Sequence, residues 1–294
     1  MTVDSPVTSQ RPRIAIAGAT GRVGSTLVSL LALEPVDVVA LTRTPDALNL
    51  PPGVNAARVD FNEPRTLVDA LQGTERLFVS HGTSLQQVAN EIALIDAAVA
   101  SGVRHIVKLS SFGPPTRLNP MAWHMQIEAH LARQAVASTV LRPSTFADVL
   151  KRSAAYIASD SWAGAAGNGR VNFIDTRDVA RVARIALLEH VQPESQRVYH
   201  LTGPRAMTMH EIADELSKLL GRNVIYGERT LEQQREVLLA EGLPAFVADL
   251  LVGLDQVFRD SAMSETTTTV QEVTGEAPLP LTHWLAENIS IFQK

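Results

Sequence analysis

The sequence predicts an α/β protein with a Rossmann-type doubly wound parallel sheet and a smaller, mostly helical C-terminal lobe. Over the first two hundred residues, short apolar segments alternate with helix-length amphipathic ones. The apolar segments are continuous, as in strands buried on both faces. A glycine-rich turn directly follows the first of them. Alternating strands and helices joined by right-handed crossovers put helices on both faces of one parallel sheet.

The first half of the chain predicts five strands, each followed by a helix or a turn. The strand-like segments are RIAIAG, VDVVALTR, AARVDF, RLFVSHG and HIVKLSSFG, which begin at residues 13, 36, 56, 76 and 105. Helical spacing is found over residues 25–33, 64–71, 85–101 and 121–136. A Pro- and Asn-containing stretch, residues 45–53, is typical of turns.

The second half predicts three more strands and then the lobe. TVLRPSTF is the sixth strand, VNFIDTRDVARVARIALLE contains a strand, a cap and a helix, and VYHLTG is the last strand of the sheet. We expect a flexible N-terminal tail at 1–10, a nucleotide-binding core at 11–150 completed by about 171–202, and a substrate-binding lobe formed by 151–170 and 203–294. The apolar helices at 231–258 are either lobe core or an interface, so both a monomer and a homodimer remain open.

Composition excludes several classes of function. The 294-residue chain has a net charge of −5 and no cysteine, which excludes disulfides, thiolate nucleophiles, zinc–cysteine sites and iron–sulfur clusters. It has no basic cluster typical of nucleic-acid binding and no apolar run of the roughly 20 residues that a membrane span needs. The polar start MTVDSPVTSQ lacks a secretory signal, so we expect a cytoplasmic location. No histidine spacing predicts a metal site.

The turn GATGRVG, residues 18–24, predicts a dinucleotide site. Gly18 allows a sharp turn out of the strand, Gly21 lets the backbone approach a pyrophosphate, and Gly24 lets the following helix pack closely on the sheet. The N-terminal amides and the dipole of that helix then face the phosphates. The other loop residues expected at the nucleotide are Thr20, Arg22 and Val23.

Arg43 indicates which nucleotide is bound. It ends the second strand, where an NAD site carries an acid for the ribose 2′-hydroxyl, whereas arginine suits a 2′-phosphate. An exposed arginine without this role is the alternative. Asp60 ends the third strand and either faces the adenine amino group or caps the next helix. The expected cofactor is therefore NADP(H).

The carboxyl ends of the later strands are expected to surround the nicotinamide and the substrate. Those expected at the cofactor are Ser80, His81, Gly82, Ser110, Pro143 and Ser144. Those expected to form an apolar substrate pocket are Phe112, Trp123, Thr145 and Phe146. Ser110 is equally explained as a local cap, and the aromatic residues as core.

Several stretches together resemble the NmrA-like family of atypical short-chain dehydrogenases/reductases. They are GATGRVG at 18–24, LSSFG at 109–113, HMQIE at 124–128, TVLRPSTFADVL at 139–150 and VNFIDTRDVARVA at 171–183. The resemblance covers about 13–292. It implies an NADPH-dependent reductase of quinones, dyes or imines, a phenylpropanoid reductase, or a non-catalytic NADP sensor.

The tyrosine–lysine pair of ordinary short-chain dehydrogenases is missing, and Trp123, His124 and Glu128 take its place. Reductases of the family that this chain resembles often carry Lys or His at the position of His124. We expect His124 to donate the proton and Glu128, one turn further along the helix, to orient its ring. An inert surface His–Glu pair is the alternative. Asp178 is expected to cap the helix that follows it.

These observations predict an NADP(H)-dependent oxidoreductase that transfers hydride to a small, largely apolar acceptor: a quinone, a conjugated carbonyl or an imine. The expected partner is a small-molecule substrate, without nucleic acid or membrane. Two alternatives remain: a regulator that senses NADP(H) without turnover, and a redox-neutral cyclase or isomerase on the same fold.

Overall fold

The computed structural model describes residues 11–113 and 119–294, so the expected tail at 1–10 lies outside the described residues. In chain order the strands are β1 (Arg13–Ala17), β2 (Asp37–Thr42), β3 (Asn55–Arg58), β4 (Arg76–Val79), β5 (His105–Leu109), β6 (Ala137–Pro143), β7 (Thr145–Phe146), β8 (Ala163–Gly164), β9 (Val171–Ile174), β10 (Gln196–Leu201), β11 (Ala206–Met207) and β12 (Gly227–Glu228). The helices are α1 (Arg22–Leu31), α2 (Pro64–Leu71), α3 (Gln87–Ala100), α4 (Met121–Leu131), α5 (Ala154–Ala158), α6 (Thr176–Leu188), α7 (Met209–Leu220), α8 (Leu231–Ala240), α9 (Ala245–Arg259), α10 (Thr269–Thr274) and α11 (Leu281–Glu287). Short 3-10 turns span Pro45–Ala47, Ala147–Ser153 and Ile289–Phe292.

Seven strands form one parallel sheet in the order β10-β6-β5-β4-β1-β2-β3. The strand order reverses beside β1, which pairs with β2 on one side and β4 on the other. The predicted doubly wound sheet is therefore confirmed. Open sheets of this type bind ligands in the crevice beyond the carboxyl ends of the strands at that reversal.

Helices cover both faces of the sheet. One apolar layer contains Leu27 of α1 and Ala183 of α6, and the other contains Ile95 of α3 and Ile127 of α4; all four are fully buried. The expected fourth helix ends earlier than predicted, at Leu131, because the next residues turn to deliver buried Val136 to the start of β6.

The C-terminal lobe begins its helices with conventional caps. At α7, Thr208 and Glu211 form a reciprocal capping box, and Thr230 and Gln233 form another at α8. A separate apolar cluster, including Trp162 and Trp284, fills the lobe. The glycine-rich segment 163–170, whose pattern is typical of a loop, contributes the short strand β8, which pairs with β12. The division at residue 150 stays a prediction.

The cap of α6 differs from the sequence-based expectation. Asp175, not Asp178, is the N-cap, and its carboxylate accepts a hydrogen bond of 2.8 Å from the Arg177 backbone amide. Asp178 lies within the first turn, fully buried, where its carboxylate pairs with Arg181 and accepts from the Leu279 amide. Asp178 therefore ties α6 to the C-terminal segment.

Acid is expected to destabilise the protein through His105, which is 1% exposed at the start of β5. Burial, with the charges of Arg76 and Arg197, lowers the pKa of His105 from 6.5 to about 4. Because the unfolded chain then binds the extra proton more readily, the free energy of unfolding falls as pH drops below 6.5. The loss reaches about 2 kcal/mol at pH 5.

Urea unfolding of His105→Gln between pH 7 and 5 checks this expectation. The variant should lose about 2 kcal/mol less than the wild-type protein over that range. A matched change at the exposed His283, His283→Gln, should keep the wild-type dependence. Equal slopes for His105→Gln and the wild type would contradict the assignment.

Candidate active site

A cavity of about 430 Å³ lies beyond the carboxyl ends of β5 and β6, between the sheet and α9. The glycine loop contributes Arg22, the strand ends contribute Ser110 and Pro143, and α4 contributes His124. The apolar part of the lining consists of Met121, Phe146, Val149, Phe246, Val247, Leu250, Leu251, Leu254 and Met263. The cavity is therefore lined mainly by apolar side chains, most of them from α9, with polar groups from the strand ends, the glycine loop and α4.

The glycine loop has the geometry of a phosphate cradle. Gly18 has φ +73°, a left-handed conformation that favours glycine, and a Cβ there would lie 2.8 Å from the Ser80 carbonyl oxygen. A Cβ on Gly24 would lie 2.1 Å from the Gly18 carbonyl oxygen. Gly21 is the N-cap of α1, so the free amides of the first turn point into the loop. Thr20 and Arg22 are exposed beside it, whereas Val23 is buried against the sheet.

Arg43 and Asp60 follow β2 and β3, on the same edge as the glycine loop. Arg43 is exposed directly after β2, as a contact with a 2′-phosphate would require. Asp60 accepts a hydrogen bond of 3.0 Å from the Asn62 amide and pairs with Arg58. It does not cap α2, whose N-cap is Glu63. The helix-cap alternative for Asp60 is therefore wrong, and its contact with adenine stays a prediction.

The residues after β4 stand at the reversal of strand order. Ser80 packs against Gly18, and the ring of His81 lies 3.0 Å from the side-chain nitrogen of Asn90. Gly82 is exposed, and its neighbour Thr83 lines the cavity. This segment is thus placed between the glycine loop and the cavity.

His124 contacts a buried ion pair that the sequence did not reveal. Lys108 Nζ lies 3.2 Å from His124 Nδ1 and 2.8 Å from a carboxylate oxygen of Glu91. The side chains of Lys108 and Glu91 are 0% and 1% exposed. Gln87, also buried, donates a hydrogen bond of 3.1 Å to Glu91. The histidine at the cavity wall is therefore backed by an ammonium–carboxylate pair.

The Lys108 ammonium determines which nitrogen of His124 carries hydrogen. An ammonium only donates, so Nδ1 accepts and the hydrogen of the neutral ring lies on Nε2. Nε2 is 3.5 Å from the amide nitrogen of Gln87; both groups donate, so that contact leaves the Nε2–H free. Burial first, and the charge of Lys108 second, hold the pKa of His124 well below 6.5. The ring is therefore neutral at neutral pH.

Glu128 lies one turn beyond His124, but it does not contact the imidazole. Its carboxylate accepts hydrogen bonds from the Arg142 guanidinium, at 3.1 and 3.2 Å from Nε, and from the Ser110 hydroxyl. Arg142 also lies 3.2 Å from His200. The expectation that Glu128 orients His124 is thus corrected: Glu128 ties α4 to the ends of β5 and β6, and Lys108 contacts the ring.

The expected pocket residues divide into two groups. Thr145 and Phe146 line the cavity, together with Pro143 and Ser144, whose hydroxyl donates to Asn172 at 3.0 Å. Phe112 does not; it is buried in the lobe cluster with its ring edge against His200. Trp123 stacks on Phe246, and it is Phe246 that reaches the cavity. The core alternative is therefore right for Phe112.

Sequence reasoning assigned no role to Lys108, Glu91, Gln87 or Arg142. One signal was visible: Lys108 interrupts the apolar strand HIVKL, and a lysine is rarely buried without a partner. The partner lies 17 residues earlier, on a helix whose polar residues are ordinarily solvent-exposed. No local spacing identifies that pairing.

Within residues 11–113 and 119–294, no group of three or more His, Asp or Glu side chains is arranged to hold a metal ion. No helix of the same residues is both long and apolar enough to cross a membrane.

Comparisons with known proteins agree with this geometry. A family model described as NAD(P)H-binding matches residues 18–190. The chain is 33% identical to the NAD(P)H azoreductase of Xenophilus azovorans, covering 89% of this chain and 93% of that protein. It is 32% identical to a (4-alkanoyl-5-oxo-2,5-dihydrofuran-3-yl)methyl phosphate reductase of Streptomyces griseus, covering 95% and 99%. A crystal structure of the NADPH-dependent quinone oxidoreductase of Escherichia coli with NADPH superimposes with a TM-score of 0.85 at 27% identity, covering 94% of this chain and 99% of that one.

Proposed function

We propose that this member of the NAD(P)H-binding family, an NAD(P)H-dependent oxidoreductase, reduces flat, conjugated acceptors, quinones first, with NADPH. Its NmrA-like motifs indicate the same kind of enzyme. One observation carries the proposal: a neutral histidine, backed by a buried ammonium, stands at the wall of an apolar cavity beyond the strand ends. Such a site holds an apolar acceptor and supplies the proton that its reduction requires.

The cavity lining supports the acceptor class. Nine apolar side chains line the cavity: six from the lobe, Phe146 and Val149 at and just after β7, and Met121 of α4; Ser110 and His124 contribute polar groups. A flat ring system suits this lining, with its carbonyl oxygen toward Ser110 and His124. Conjugated carbonyls and imines have the same shape and polarity. The azoreductase relative supports a second acceptor, the azo bond, which also accepts a hydride and then a proton.

The residues of the nucleotide edge fit NADPH. The cradle of Gly18, Gly21 and Gly24 suits the pyrophosphate, and Arg43 suits the 2′-phosphate. The other residues that we propose at the cofactor are Thr20, Arg22, Val23, Asp60, Ser80, His81, Gly82, Ser110, Pro143 and Ser144. When bound, NADPH supplies the hydride.

The protein supplies the proton. A quinone that has accepted a hydride carries a negative oxygen, and His124 donates its Nε2 hydrogen to that oxygen. Lys108 Nζ, 3.2 Å from Nδ1, passes a proton to Nδ1 in the same step. The imidazole therefore stays neutral throughout, which matches its lowered pKa. After the product leaves, solvent in the cavity returns a proton through His124 to the buried Lys108.

Titration with NADPH and NADH, followed by nucleotide fluorescence and then by acceptor addition, tests the proposal. We expect tighter binding of NADPH and its oxidation when a quinone is added. Arg43→Ala should remove most of the preference for NADPH, while Arg104→Ala should retain it, because Arg104 precedes β5 at the amino ends of the strands, away from the nucleotide. Tight binding without oxidation by quinones, conjugated carbonyls, imines or azo dyes would contradict the proposed function.

A further inference from the structure

Arg152 stands at the junction of two cavities. It lies in the 3-10 turn Ala147–Ser153, just after β7, and lines the 430 Å³ cavity on one side. On its other side is a second cavity of about 270 Å³ within the lobe. Val149 and Leu251 also line both cavities. A molecule in the larger cavity that extends past Phe146 therefore meets the Arg152 guanidinium.

The charge of Arg152 is not used by the fold. Its neighbour Lys151 pairs with Asp148 at 2.8 Å, but in the part of the chain that the structure describes, Arg152 has neither a hydrogen bond nor a salt bridge. Partial desolvation lowers the pKa of Arg152, the charge of Asp255 raises it, and the charge of Arg22 lowers it. The residue is nevertheless exposed to solvent where it lines the cavities, and a guanidinium stays charged in proteins. Its charge is therefore available to an anionic ligand.

The second cavity offers a suitable environment for an anion. Its lining includes Ser153, Tyr156 and Arg229 beside the aliphatic residues. Arg229 is held by the Ala163 carbonyl and by Gln234, so it adds positive charge without an acidic partner of its own. Glu241 is engaged by the hydroxyl of Tyr156. Asp255 also lines the cavity, yet it forms no salt bridge with Arg152 within 4.0 Å.

We propose that Arg152 binds a sulfonate, carboxylate or phosphate group carried by the acceptor, whose flat ring lies in the larger cavity. This inference rests on the proposed function and names the class of its substrate: an aromatic or conjugated acceptor with an anionic substituent. The planar guanidinium offers two parallel N–H donors to such a group. Because Arg22 and Arg152 line the same cavity, the cofactor's own phosphates are the other possible source of the anion.

Two anthraquinones of similar size test the inference: anthraquinone-2-sulfonate and the neutral 2-(hydroxymethyl)anthraquinone. Their Kd values for the NADP⁺-loaded protein are measured by calorimetry, and their KM values with NADPH by kinetics. For Arg152→Gln we expect Kd and KM of the sulfonate to rise by about tenfold or more, the loss of one charge-assisted contact. The values for the neutral quinone and the Kd of NADPH should change less than twofold. Arg152→Lys should recover part of the loss.

Lys151→Gln is the matched control, because it removes a neighbouring cation that lines neither cavity; all of its values should stay at wild type. A tenfold rise in the Kd of NADPH for Arg152→Gln would assign the anion to the cofactor and overturn the inference. Unchanged binding of the sulfonate would overturn it as well. If the wild-type protein reduces neither quinone, the proposed function fails, while the Kd values with NADP⁺ still decide the role of Arg152.

Discussion

Replacing His124 with alanine is expected to lower kcat for quinone reduction by about 100- to 10,000-fold, the usual contribution of a general acid. The reason is the position of the ring, at the cavity wall with Nδ1 against Lys108 and Nε2–H free. The Kd of NADPH should change less than twofold, because the cradle at Gly18–Gly24 is on another element. Stopped-flow kinetics and fluorescence titration measure the two quantities separately.

His130 provides a matched control on the same helix. It is paired with Asp96 at 2.6 Å, away from the cavity, so His130→Ala should retain the wild-type kcat. Loss of NADPH binding in His124→Ala would instead indicate a cofactor contact. A kcat within threefold of wild type would mean that another group donates the proton.

Replacing Lys108 with methionine is expected to lower the free energy of unfolding by about 3–5 kcal/mol, the range measured when one partner of a buried ion pair is removed. Methionine fills a similar volume, but it leaves the Glu91 carboxylate 1% exposed and without its cation. Removing both charges is far less costly, since similar-sized apolar residues pack well in such positions. The double variant Lys108→Met/Glu91→Met should therefore recover most of the lost stability.

The double variant also separates stability from catalysis. Urea unfolding measures the first, and kcat at a temperature where all variants are folded measures the second. We expect kcat to stay at least tenfold below wild type, because His124 Nδ1 no longer has a proton supplier. A double variant with wild-type kcat would show that the pair only stabilises the fold.

Strand pattern and the glycine turn were sufficient to predict the sheet. Continuous apolar segments such as RIAIA and HIVKL occupy the buried central strands, β1 and β5, because a parallel strand covered on both faces has no polar side. Glycine spacing indicated the nucleotide edge for a partly local reason: a Cβ on Gly21 or Gly24 would meet the Gly18 carbonyl oxygen, whereas one on Gly18 would meet the distant Ser80 carbonyl oxygen. Local sequence patterns were therefore sufficient to predict most of the fold.

The surroundings of the proposed proton donor, His124, depended on contacts between distant segments. His124 and Glu128 share a helix face, which correctly placed both near the strand ends. Glu128, however, faces the Arg142 guanidinium on β6, and a forked ion pair is stronger than a contact with neutral imidazole. The imidazole of His124 instead contacts Lys108 of β5, whose charge is balanced by the Glu91 carboxylate of α3. Which polar side chain contacts His124 depends on how α3 and α4 pack against β5 and β6. Sequence spacing does not determine that packing.

The most direct test is a single-turnover experiment with NADPH deuterated at the transferred position of the nicotinamide. Protein loaded with this cofactor is mixed with excess quinone, and the absorbance of the reduced nicotinamide is followed. A hydride-transferring reductase should oxidise it only when the acceptor is present, and more slowly with deuterium than with hydrogen. Absorbance that stays constant with every acceptor, although NADPH is bound, would contradict the account and favour a sensor or a redox-neutral enzyme.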